Sequence, residues 1–369
     1  FRHPHDTLDT VMMKWVLFGC LFTFMLPMAP SLQLSPAFLG ATLQPQLRVR
    51  LPLVLAPSRA SGVRCLAGDG GQLSPRRSVL VTGANKGQGY SLCERILEEH
   101  DDTHVFLCSR DLARGEEAGA SLSLKFAADR IDVVQLDVTQ PDSVDAAQRQ
   151  VCAQLRGAQM YGVVSNAGIM WDASLSDLLD VCASGPRLVL DAFIPLLSDK
   201  GRVVVVSSGL GPLMHGYASQ QRQAALTSRE CSWQTLEEMM NECKAIPKGV
   251  AAAEAFAAIG FSGGPFAEAA PDFHMYGLAK MFADSYMLSL AAAHPSLHIN
   301  SCDPGLVFTD LIRPIPRYQG KTFEESGAKS PAQGVEAAMR LLFGGAEEGV
   351  VLEESGKFYA MSKDQTDLL

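Results

Sequence analysis

The stretch Ser78-Val79-Leu80-Val81-Thr82-Gly83-Ala84-Asn85-Lys86-Gly87-Gln88-Gly89 decides the fold. A short β-rich run ends in a glycine-rich turn, and a helical pattern follows from Gly89 to about Glu99. Gly83 permits the tight turn, Gly87 lets backbone approach a pyrophosphate, and Gly89 lets the helix pack closely on the strand. Free N–H groups and the dipole at a helix start favour an anion. A simple turn is the plainer alternative. Its place at a strand-to-helix junction, on the first strand of an alternating series, points instead to a phosphate cradle. The cradle candidates are Gly83, Asn85, Lys86, Gly87, Gln88 and Gly89.

Working outward, further apolar runs recur at Val105–Cys108, Ile131–Leu136, Gly162–Ser165, Val203–Val206 and Ile299–Cys302, most of them separated by helix-length segments. Near-continuous apolar strands alternating with helices predict an α/β fold. The expected architecture is a doubly wound parallel sheet of Rossmann type, with helices on both faces. One domain is expected over residues 76–369. Residues 209–273 break the rhythm as a long insert, with a polar helix over Ser228–Cys243 and no clear period in Ala251–Pro271. Such an excursion beside a site suggests a lid over a substrate.

The end of the second strand bears on the nucleotide. An acid there would bind a free ribose 2′-hydroxyl, and an arginine a 2′-phosphate. Arg110 follows Leu107-Cys108-Ser109, with Lys86 as a second cation, while Asp111 argues the other way. Two cations against one carboxylate favour NADP(H).

Tyr276 and Lys280 fall at i and i+4 in a helical run from Tyr276 to Ala293, and so share one face. An adjacent ammonium is expected to lower the phenol's pKa and make it a usable proton donor. Ser208 ends the strand Val203–Val206-Ser207-Ser208 and can offer a hydroxyl to a carbonyl oxygen. An exposed surface pair is the plainer reading of Tyr276 and Lys280.

Taken in order, these residues resemble the short-chain dehydrogenase/reductases. The marks are Thr82-Gly83-x3-Gly87-x-Gly89, Leu136-Asp137-Val138, Asn166-Ala167-Gly168, Ser207-Ser208, Tyr276-x3-Lys280 and Pro304-Gly305. Within the family, Thr82–Gly87, Ser109-Arg110-Asp111-x2-Arg114-Gly115, Gly201–Ser208 and Pro304–Asp310 look most like NADPH-dependent carbonyl reductases. The resemblance spans about residues 76–362. It implies that Ser208 polarises a substrate carbonyl, Tyr276 delivers a proton, and Lys280 tunes the tyrosine and binds the nicotinamide ribose. It also implies that Asp137, beside Val138, contacts adenine and that Asn166, with Ala167 and Gly168, lines the cofactor cleft. Val307 and Thr309, after Pro304-Gly305, would hold the carboxamide. The implied reaction is NADPH-dependent reduction of a ketone, aldehyde or quinone to an alcohol. Two departures stand out. Cys182 takes the place of an asparagine that usually completes a proton relay, and a thiol is a poor relay partner. Ser165 replaces the common first Asn before Asn166. Cys182 motivates an alternative: a catalytically weak NADP(H)-binding redox sensor or scaffold.

Composition narrows the classes. The 369 residues are 47% hydrophobic with a net charge of −9, which suits a large core and argues against a nucleic-acid partner. The nine cysteines are scattered, with no CxxC and no zinc spacing, so no metal site is expected and a reducing compartment fits. Position 1 is Phe, and the reading takes Met12 or Met13 as the translation start. Lys14 precedes an apolar run from Trp15 to Leu26, the pattern of a signal peptide and too short for a comfortable span. No Asp or Glu occurs from Val11 to Gly68, while Arg48, Arg50, Arg59 and Arg64 do, which resembles a transit peptide. Residues 1–75 are therefore expected to be a bipartite presequence directing the protein to a plastid. The alternatives are the secretory pathway or endoplasmic reticulum, or the cytoplasm if the N-terminus is misassigned. The expected partner is a small carbonyl substrate. The mature domain is expected to lack a stable membrane span and, by the insert's resemblance, to be a monomer.

Overall fold

A computed structural model describes residues 76–246, 252–344 and 354–360. The presequence reading, over residues 1–75, lies outside them. The first half runs β1 (Arg77–Val81), α1 (Gly87–Glu99), β2 (Thr103–Ser109), α2 (Leu112–Ser123), β3 (Ile131–Gln135), α3 (Pro141–Leu155) and β4 (Met160–Ser165). The second continues with α4 (Leu175–Leu179), a π-helical turn over Asp180–Ser184, α5 (Gly185–Phe193) and β5 (Leu197–Val206). The insert follows as α6 (Leu210–Tyr217), α7 (Gln220–Leu226), α8 (Trp233–Lys244), α9 (Ala252–Ala258) and α10 (Phe266–Ala269). Then come α11 (Pro271–Ala293), β6 (His298–Asp303), α12 (Phe323–Ser326), α13 (Pro331–Gly334), α14 (Glu336–Phe343) and β7 (Phe358–Ala360).

The strands form one sheet in the order β3-β2-β1-β4-β5-β6-β7. Every pairing is parallel. Strand alternation explains why the runs are apolar throughout. Leu80 and Phe106 face one core, with Val151, Phe193 and Phe282 from α3, α5 and α11. Val79, Val81 and Val105 face the other, with Leu92, Ile96 and Leu342 from α1 and α14. Each such fully buried side chain contributes about 1.5–3 kcal/mol.

Two features go beyond the sequence reading. β5 begins at Leu197, earlier than the apolar run, because Ser198, Asp199 and Lys200 precede its buried part. β7 is a three-residue edge strand, too short for a pattern to reveal. The polar helix expected over 228–243 is α8, started by Ser232, whose hydroxyl accepts from the Thr235 N–H. The stretch without clear period holds α9 and α10. No helix among the described residues is long and apolar enough to cross a membrane. Six described cysteines are free and buried.

Candidate active site

β1 and β4 are neighbours, with the sheet growing outward from them in opposite directions. Their carboxyl ends therefore flank the crevice where such sheets bind ligands. Thr82, fully buried, joins the two ends. Its Oγ1 accepts from the N–H groups of Asn166 at 2.9 Å and Ala167 at 3.0 Å. Asn166 Nδ2 donates back to the carbonyls of Thr82 at 2.9 Å and Gly83 at 3.3 Å. The Asn166 amide is thus engaged in holding the cleft shut at its base.

The glycines do three different jobs. Gly83 has φ +62°, and a Cβ there would lie 2.9 Å from Ala167 Cα. A Cβ on Gly89 would lie 2.5 Å from the Gly83 carbonyl, so α1 can dock on the turn only with glycine at that position. Gly87, at φ +58°, opens α1. The helix has no side-chain N-cap and no acid in its first turn, so nothing there competes with an anion. Asn85 and Gln88 are half-buried in the same turn.

At the end of β2, Arg110 is exposed and pairs with no carboxylate among the described residues. Asp111, the residue that argued for a free ribose hydroxyl, is occupied. It caps α2, accepting from the Arg114 N–H at 3.2 Å, and its carboxylate lies 3.5 Å from Arg114 Nε. Lys86 differs from expectation. Its ammonium pairs with Asp310 at 2.5 Å rather than standing free beside Arg110, and this pair holds the Asp310 carboxyl below the usual range. Asp137 accepts from the Thr139 N–H at 3.0 Å and hydroxyl at 2.7 Å, and its own N–H donates to Ser143. Val138 packs against Gly185.

The loop after β6 lies over the glycine turn: Thr309 Cγ2 is 3.4 Å from where a Gly87 Cβ would be. Gly305 follows Pro304 with φ +76°, and its N–H donates to Asp303 at 2.9 Å. The Val307 side chain is buried against Gly334, so only its backbone can face a ligand.

The opposite wall is α11. A Cβ on Gly277 would lie 3.1 Å from the Leu210 carbonyl, so α6 and α11 cross in close contact. Leu210 is two residues from Ser208, and Gly277 one residue from Tyr276, so this crossing brings the two hydroxyl-bearing segments together. Ser208 lies two residues before α6, its Oγ accepting from the Leu210 N–H at 3.3 Å. Lys280 Nζ lies 5.5 Å from the Tyr276 ring centroid and donates to the Val206 carbonyl at 2.8 Å. Both side chains are buried, which removes the reading of an exposed surface pair. Burial pushes the Tyr276 phenol up to about 12 against the opposing pull of Lys280. The lowering expected from spacing alone is therefore outweighed by desolvation. At neutral pH the phenol keeps its proton.

Cys182 sits in the π-helical turn, a distortion frequent at functional sites. Its Sγ is 3.8 Å, and Lys280 Nζ 3.9 Å, from where a Gly168 Cβ would be. The thiol acts electrostatically on Lys280 and donates to the Ile169 carbonyl at 3.6 Å. An apolar wall that no motif announced completes the region. Trp171 donates to the Leu311 carbonyl at 2.5 Å and meets Phe273 edge-on at 5.8 Å, with Ile312, Ile315 and Tyr318 beside them. Its members come from the loop after β4, the first turn of α11 and the segment after β6, so no local spacing could reveal them. Among the described residues, no group of three or more His, Cys, Asp or Glu is placed to hold a metal ion.

A family model described as short chain dehydrogenase matches residues 77–222. The (+)-neomenthol dehydrogenase of Arabidopsis thaliana is 28% identical over 292 residues, covering 70% of this chain and 91% of that protein. The NADPH carbonyl reductase 1 of Rattus norvegicus is 27% identical over 281 residues, covering 73% and 91%. Among solved structures, salutaridine reductase from Papaver somniferum has a TM-score of 0.59 at 21% identity, covering 77% of this chain and 99% of that one. The structural likeness carries the fold.

Proposed function

Because this chain belongs to the short-chain dehydrogenase/reductases, a family of oxidoreductases, we propose that it is an NADPH-dependent reductase of ketone, aldehyde or quinone carbonyls. The observation that carries the reading is the buried Tyr276–Lys280 pair, set beside Ser208 by the α6–α11 crossing. Bound NADPH would supply the hydride. The residues fit that cofactor. The α1 start offers N–H groups to a pyrophosphate, and exposed Arg110 offers a cation to a 2′-phosphate, while Asp111 is engaged in capping α2.

The chain's own residues do the rest. Ser208 Oγ donates a hydrogen bond to the substrate carbonyl oxygen and polarises it. Tyr276 Oη, protonated at neutral pH, transfers its proton to the same oxygen as negative charge builds there. The Lys280 ammonium stabilises the phenolate left behind and donates to the ribose. Asp137 and Val138 hold the adenine end. Asn166, Ala167 and Gly168 form the cleft floor, and Pro304, Gly305, Val307 and Thr309 bound the carboxamide. The Trp171–Phe273 wall excludes water and favours an apolar substrate.

NADPH oxidation across a panel of ketones, aldehydes and quinones tests the reading, with cofactor binding measured separately. Carbonyl-dependent oxidation is expected. Tight NADPH binding with no panel member reduced above background would favour the second reading, a redox sensor or scaffold, which Cys182 beside Lys280 motivates.

The destination belongs to the same proposal. The acid-free, arginine-bearing stretch from Val11 to Gly68 supports delivery to a plastid. A fluorescent fusion of residues 1–75 tests it, and retention in the secretory pathway or cytoplasm would replace it. The insert, whose α8 packs on α11 with Trp233 meeting Tyr286 at 5.4 Å, resembles that of monomeric carbonyl reductases, and that resemblance supports a monomer. Light scattering of the purified protein tests that.

A further inference from the structure

One half-buried acid beside the site has no part in the mechanism above. Asp284 lies one turn beyond Lys280 on α11, so Tyr276, Lys280 and Asp284 fall at i, i+4 and i+8 on one face. Its Oδ2 accepts from the Ser207 hydroxyl at 2.9 Å. The end of β5 therefore grips both α11 charges: the Val206 carbonyl takes Lys280, and Ser207 holds Asp284. Ser208, the proposed carbonyl donor, is the next residue. A Cβ on Gly211 would lie 2.5 Å from Asp284 Oδ2, so α6 leaves room for this carboxyl only through a glycine. Asp284 Oδ1 and Ser301 Oγ are both sealed from solvent, and the Ser301 hydroxyl also pulls on the carboxyl.

We propose that Asp284 is a positioning residue whose ionisation sets the electrostatic field at the Tyr276–Lys280 pair and so governs how carbonyl reduction varies with pH. This rests on the reductase reading of the same site. Burial pushes the Asp284 carboxyl up to about 7, against the pull of the Ser207 and Ser301 hydroxyls and the Lys280 ammonium. Its charge therefore appears and disappears within the neutral range. Ionised, it offsets part of the Lys280 field that stabilises a developing Tyr276 phenolate, and proton donation slows. Protonated, it leaves that field whole. The groups facing it are known. Lys280 shares its helix, and Ser207 ends β5. Ser301, Cys302 and Asp303 come from β6, Asp303 itself raised by burial and held by the Gly305 N–H. His215 on α6 lines, with Asp284, Met281 and Phe358, a cavity of about 170 Å³ through which the carboxyl can exchange its proton with water.

The test is the pH profile of carbonyl reduction for the wild-type protein and Asp284→Asn. Asparagine keeps the acceptor for Ser207 and loses the charge. The wild type is expected to lose about three- to tenfold in kcat between pH 6 and 8, and the variant to stay flat. An unchanged neutral inflection in Asp284→Asn overturns the proposal. Ser207→Ala gives a second reading, since losing that hydrogen bond raises the carboxyl further and moves the inflection to higher pH. An inflection unmoved in Ser207→Ala also counts against it. His215→Gln should leave the inflection in place, and its disappearance there would assign it to the histidine instead.

A readout without substrate separates this from failure of the reductase reading. A carboxyl raised above its unfolded value contributes stability that is complete below about pH 4 and lost as pH rises through about 7. The wild type should therefore lose Tm relative to Asp284→Asn across that window. A constant Tm difference overturns the proposal even if no carbonyl is ever reduced.

Discussion

The two walls of the cleft are made of different materials. On the nucleotide side, the turn from Thr82 to Gly89 works through backbone: two glycines at positive φ, one that admits the helix, and open N–H groups. On the α11 side, the work falls to side chains: a buried phenol, a buried ammonium and a half-buried carboxyl along one helix face, opposite a hydroxyl that follows β5. A backbone cradle tolerates no added atom yet tunes little. A side-chain cluster can be re-tuned one functional group at a time, because its energetics are electrostatic and set by burial.

Substitutions can break or sharpen that contrast. The largest effect is expected at the phenol. Tyr276→Phe should lower kcat by about 10²–10⁴ while NADPH affinity stays put, since only a proton is lost. Steady-state rates beside a binding titration check it, and normal turnover would remove Tyr276 from its role. Next comes Arg110→Asp, which should shift preference from NADPH toward NADH by about 100-fold through a lost charge-assisted contact and added repulsion. An unchanged ratio of kcat/KM for the two cofactors would mean that another cation reads the phosphate. Gly89→Ala places a methyl 2.5 Å from the Gly83 carbonyl. It should cost about 1–3 kcal/mol of stability and weaken NADPH about tenfold or more, measured by denaturation and titration. If it lowered kcat at saturating NADPH as Tyr276→Phe does, the division between the walls would fail. The smallest expected effect is a gain. Cys182→Asn supplies a true hydrogen-bonding group beside Lys280 and should raise kcat by about two- to tenfold. A fall would indicate that the thiol packs better than an amide in the π-helical turn.

The difference between the walls also governs what could be read without a structure. The glycine turn is a local object whose every part lies within eight residues, so its spacing announces it. Six of the seven strands announce themselves by apolar runs, because a sheet covered on both faces needs them, whereas β7 has only three residues. Tyr276 and Lys280 are legible as a helical pair, but their acid–base character is not. Spacing predicts an ammonium lowering a phenol, and burial reverses the outcome. Likewise Lys86 reads as a free cation near Arg110, until the loop after β6 brings Asp310 against it. Asp111 reads as a competitor for ribose, until it caps α2.

The amino-acid sequence by itself determined the alternation of strand and helix, the phosphate cradle and the identities of the hydroxyl, phenol and ammonium, since each depends on neighbours a few positions away. Tertiary structure alone decided which charges are paired, how far each titrating group moves, and that Ser207, Asp284 and the Trp171–Phe273 wall belong to the site. Those outcomes depend on desolvation and on contacts between segments tens of residues apart, and no local pattern encodes either.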